Sequence, residues 1–98
     1  MKKVLVMAVA LLCSPATAQD SSARSLASAC AICHGTDGRP PANAPVIPLA
    51  GLPREHIATQ MRAFRDGSRP ATVMHQIAKG YSDAQIDAMA AWFAAQKR

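Results

Sequence analysis

Residues 30–38 read CAICHGTDG. Two cysteines stand three apart and a histidine follows the second directly, in a chain of 98 residues that has 3 cysteines in all. A redox dithiol, a zinc half-site and covalent attachment of haem each use part of this pattern. The remainder of the chain decides among them.

In C-x-x-C-H both thiols add to the porphyrin vinyl groups, and the histidine ligates the iron from the same side. Two intervening residues let one turn of backbone span the two vinyl positions, and the next residue then falls beneath the iron. A dithiol of this spacing belongs in a strand-helix-strand context, yet no stretch here alternates apolar and polar residues as a strand does. A zinc tetrad would need two more ligands, for which His56 and His75 exist. They have no finger-like spacing, and His34 would be left idle. The expectation is therefore one covalently bound haem c per chain, attached through Cys30 and Cys33, with His34 as the proximal iron ligand.

The N-terminus reads MKKVLVMAVALLCSPATA, with Lys2 and Lys3, an apolar run from Val4 to Leu12, and the small-residue triplet Ala16-Thr17-Ala18. This is the pattern of a secretory signal peptide over residues 1–18, cut after Ala18. The apolar run is far short of the roughly 20 residues a spanning helix needs, so no transmembrane anchor is expected after its removal. Cys13 reads as part of the discarded signal, since Leu12 before it is too large for lipid attachment. Residues 19–98 then form one domain with 9 basic and 6 acidic side chains. No basic run is interleaved with aromatics, so nucleic acid is not an expected partner. Export implies the periplasm. There a disulfide would be ordinary, but a loop closed across three residues is a weak staple. A domain this small needs help to hold its core, and a flat apolar group tied by two bonds supplies it.

Beyond the signal, Ser21 to Ala31 favours a short helix. Gly35 to Gly51 carries Pro40, Pro41, Pro45 and Pro48 and reads as irregular chain. A loop of that length in a compact domain wraps something. Pro53 opens a helix that Asp66-Gly67 closes, with Ile57, Met61 and Phe64 on its buried face. Ser68 to Thr72 is a second loop, followed by a short amphipathic turn over Val73, Met74, Ile77 and Ala78. Ser82 and Gln85 fit a capping box for a last helix that buries Ile86, Met89, Ala90 and Phe93. Lys97 and Arg98 stand at its positive-tolerant end. The fold class is all-α, three to four short helices wrapped around the haem.

A sixth iron ligand is sought among Met61, Met74, Met89, His56 and His75. Met61 and Met89 sit at core positions and His56 in an exposed first turn. Met74 follows the second loop, where a returning chain presents a thioether to the opposite haem face; it is the expected distal ligand, with His75 as the alternative. Histidine with methionine gives a low-spin iron of raised potential, suited to electron transfer rather than to binding oxygen or peroxide. The other ring nitrogen of His34 should be held by a carbonyl, with Pro48 the first candidate and Pro45 the second. Arg62, Arg65 and Arg69, ahead of the Met74 loop, are either a docking patch or ordinary solvated cations.

From Leu26 to Lys97 the chain resembles the small class I cytochromes c in the order of its parts. These are an N-terminal helix, CAICH, a proline loop, a middle helix, a methionine loop and a last helix bearing Trp92-Phe93. Residues 47–94, IPLAGLPREHIATQMRAFRDGSRPATVMHQIAKGYSDAQIDAMAAWFA, are similar to the haem domain of the flavocytochrome c sulfide dehydrogenases. That resemblance implies Met74 as distal ligand, from RPATVMHQIAKGYSD, and a flavoprotein sulfide dehydrogenase subunit as electron donor. Some members have two haem domains where this chain has one C-x-x-C-H, and related chains often have one more residue in IPLAG. The function implied is that of an electron carrier without catalysis of its own. A free-standing shuttle to a terminal oxidase or another redox protein is the alternative, and a haem sensor or peroxidase with an open iron is a third.

Overall fold

The computed structural model describes residues 2–5, 7, 8 and 15–98, with helical side chains from residue 21 onward. Cys13 and much of the apolar run before it lie outside the described residues. The architecture is all-α. Helix α1 spans Pro15–Ser28, α2 Ala31–His34, α3 Arg54–Asp66, α4 Met74–Ala78 and α5 Asp83–Ala94, and a 3-10 turn covers Thr36–Gly38. Two of the five are single turns, and there is no strand among the described residues. No helix among them is long and apolar enough to cross a membrane.

Helix α1 starts earlier than its sequence suggests and ends sooner. The Ser28 hydroxyl donates to the Ser25 carbonyl at 2.6 Å, and Cys30 N–H reaches back only to Ala27. Both tighten and stop the helix, so CAICH begins a turn of its own instead of continuing α1. Helix α3 opens at Pro53, whose carbonyl accepts from Ile57 N at 3.1 Å, and closes on Gly67 in left-handed backbone. Helix α5 has the expected box: Ser82 Oγ accepts from Gln85 N, and Gln85 Oε1 accepts from Ser82 N. Lys97 and Arg98 lie beyond its end at Ala94.

The core gathers Ala27 of α1, Ile57 and Ala58 of α3, and Ile86, Met89, Ala90 and Phe93 of α5. Leu26, Cys30, Leu49, Leu52, Met61, Tyr81 and Trp92 pack around it. Helix α5 is the hub, with α1 on one side and α3 on the other, and Phe93 meets Trp92 edge to face at 5.2 Å. The long proline loop is pinned at its far end. Leu49 N and Ala50 N both donate to the Gly38 carbonyl, at 2.9 and 3.1 Å, and Gly51 N donates to Phe93 O at 2.9 Å.

Gly38 makes that knot possible. Its φ is +78°, and a Cβ there would lie 2.9 Å from each of Ala50 N, Leu49 Cβ and Phe93 Cδ1. Gly38→Ala should therefore cost about 2–4 kcal/mol of stability, from left-handed strain plus overpacking. Denaturant titration of the haem-loaded protein checks this.

Candidate cofactor site

CAICH forms one tight turn. Cys30 caps α2, Cys33 N and His34 N both donate to the Cys30 carbonyl, at 3.3 and 2.8 Å, and Gly35 N closes on Ala31 O. Gly35, at φ +84°, then breaks the helix where a Cβ would run into the Arg39 carbonyl. Both cysteines are free thiols, Cys30 half-buried against the core and Cys33 exposed. Burial pushes the Cys30 thiol above its ordinary pKa, and the charge of Cys33 adds to it.

His34 Nδ1 lies 2.8 Å from a backbone carbonyl thirteen residues away, that of Ile47. The tautomer with Nδ1–H donating leaves Nε2 bare as a ligand. This corrects the expectation that Pro48, or Pro45, supplies the acceptor. A proline restrains the residue before it, disfavouring helical backbone there, so the carbonyl it helps to aim is that of Ile47. Pro48 is a constraint on the acceptor rather than the acceptor itself.

Met74 is the first residue of α4 and is half-buried. Met89 is 2% exposed and packed inside the core, and Met61 packs against that core. His56 is exposed in the first turn of α3. His75 is half-buried, and its Nδ1 is enclosed without a hydrogen-bond partner.

The residues present fit a haem. Ile32 is 88% exposed, Ile47 58%, Val73 53% and Ile77 41%. One lies within CAICH, one supplies the His34 acceptor, and two flank Met74 in sequence. Large aliphatics left bare beside each proposed contact are what a flat apolar group would cover. Among the described residues no three His, Cys, Asp or Glu side chains converge to hold a bare metal ion. Two thiols and an imidazole thus stand on one turn, and Met74 stands on another element.

The three arginines ahead of Met74 are engaged within the protein. Arg62 bonds Asp83 at 3.2 Å and Asp87 at 2.6 Å, and Arg65 bonds Asp83 at 2.6 Å. The Arg65 and Arg62 guanidiniums hold the Asp83 carboxyl below its usual range. Arg69 bonds Gln60 and stacks over the Phe64 ring at 4.7 Å. Of the two readings offered for these arginines, docking patch or ordinary solvated cations, neither anticipates that they lash α3 to α5 and to the loop. Spacing along one helix marks cations that share a region, but partners 18 to 25 residues away become visible only in the fold.

No protein-family model matches the chain. It is 38% identical over 98 residues to the thiosulfate dehydrogenase electron acceptor of Thiomonas intermedia, covering 99% of this chain and 45% of that protein. It is 41% identical over 75 residues to the cytochrome subunit of sulfide dehydrogenase of Chlorobaculum tepidum, covering 76% of this chain and 66% of the relative. Cytochrome c-554(548) of Halomonas halodenitrificans is 38% identical over 72 residues, which is 69% of this chain and 84% of that protein. The chain thus spans less than half of the first of these relatives and about two thirds of the second.

Proposed function

Because the chain belongs to the cytochrome c family, we propose that it is a periplasmic carrier of single electrons with one haem c, taking electrons from a flavoprotein sulfide dehydrogenase subunit. The observation that carries the cofactor assignment is the CAICH turn, with two free thiols and a histidine whose Nδ1 is already held by Ile47. When bound, the haem supplies an iron that gains and loses one electron. Cys30 and Cys33 would tether it by thioethers, and His34 Nε2 and the Met74 thioether would ligate the iron. The Ile47 carbonyl would fix the imidazole's tautomer and orientation and raise its basicity as a ligand. With two protein ligands the iron would favour electron passage over capture of a diatomic or peroxide.

The domain boundary follows from the same reading. Cleavage after Ala18 would remove the first turn of α1, while Ala23, Leu26 and Ala27, the α1 residues that reach the core, all remain. The sulfide dehydrogenase donor is supported by the likeness to the Chlorobaculum cytochrome subunit. The Thiomonas relative, matched along 99% of this chain, favours a thiosulfate dehydrogenase as the second candidate donor. Stopped-flow mixing of the oxidised protein with each reduced dehydrogenase separates them. Fast, saturable reduction is expected with the sulfide enzyme, and reduction by the thiosulfate enzyme alone would replace that donor.

A further inference from the structure

The segment carrying Met74 is tied to α3 on both sides. Before it, Arg69 N donates to Ala63 O at 3.1 Å, the Arg69 guanidinium reaches Gln60 Oε1, and its plane lies over Phe64. The approach to Arg69 is itself fixed: Ser68 N donates to Asp66 Oδ1 at 2.8 Å after the left-handed Gly67. Behind it, Arg65 Nη1 donates to the Tyr81 carbonyl at 3.3 Å and Nη2 to Asp83. Between these anchors α4 is a single short helix whose N-cap residue, Val73, offers no side-chain cap. Its hold on position comes from its packing on α3 and from the two ends.

We propose that Arg69 and Arg65 are positioning residues for the distal ligand: they clamp the two ends of the α4 segment to α3 and so set how readily Met74 leaves the iron. The proposal rests on Met74 being that ligand. An outside ligand such as imidazole binds the ferric iron only when the thioether is displaced, so its apparent affinity is its intrinsic affinity scaled by the fraction of molecules open. Removing the cation over Phe64 and its bond to Gln60 raises that fraction without touching an iron ligand. The stacked cation and the bond are each of a size that shifts such an equilibrium severalfold.

The test is imidazole titration of the ferric, haem-loaded protein. Arg69→Ala is expected to raise imidazole affinity about 5- to 10-fold, and Gln60→Ala to raise it about 2- to 3-fold. Arg69→Lys, which keeps a cation over the ring, should stay near the parent. Arg65→Ala should act in the same direction as Arg69→Ala. Ile57→Val loosens the core without touching the clamp, and should lower the melting temperature while leaving imidazole affinity unchanged. Parent-like affinity in Arg69→Ala, or an equal gain in Ile57→Val, overturns the clamp. Met74→Leu separates this from failure of the ligand reading: if the thioether charge-transfer band survives that substitution, the ligand assignment falls and the clamp falls with it.

Discussion

Cys30→Ala combined with Cys33→Ala is expected to give a chain that carries no haem through a denaturing gel and shows no cooperative thermal transition. The reason lies in the core. Of the ten buried apolar residues among those described, six are alanines, and Ile57, Ile86, Met89 and Phe93 are the large ones. Alanine contributes little transfer free energy, while every ordered residue costs backbone entropy. Chains of this length ordinarily need a tether or cofactor to offset that cost. The bare Ile32, Ile47, Val73 and Ile77 are the missing part of the balance, since their burial requires a group the polypeptide does not provide. Haem staining and circular dichroism with temperature read the two effects separately. A double variant that melts cooperatively without haem would mean that the polypeptide core is sufficient alone.

Met74→His should keep the iron low spin yet lower its midpoint potential by about 0.2 V, a fraction of the roughly 0.8 V range that axial ligands command. Thioether sulfur is soft and favours the ferrous state, whereas a second imidazole stabilises the ferric one. Redox titration gives the shift, and loss of the near-infrared thioether band gives the cause. Met61→Leu serves as the control and should leave both unchanged, because Met61 packs against the buried cluster. A band lost with Met61 and kept without Met74 would reverse the assignment.

The helices with strong periodicity were legible in the sequence. Ile57 and Met61 of α3, and Ile86, Met89, Ala90 and Phe93 of α5, mark their inner faces by spacing alone, and Ser82 with Gln85 marks a start. The break between α1 and α2 was not legible, because alanine and serine run through it and a serine hydroxyl turned back on its own helix decides the stop. CAICH declared its chemistry by residue type. The acceptor for its histidine did not, since a carbonyl belongs to every residue and only the proline beside Ile47 hinted at it. The arginines show the same limit: composition placed their charge, and the aspartates that absorb it come from a helix on the far side of a loop.

The central place of α5 in the packing makes the fold depend on contacts distant in sequence. Four of the seven residues of the buried cluster are its own, and α1 and α3 each lie against it. Among the packed helix pairs of the described residues, α1 with α5 closes the longest stretch of intervening chain, so that pair carries the largest loop-closure cost in assembly.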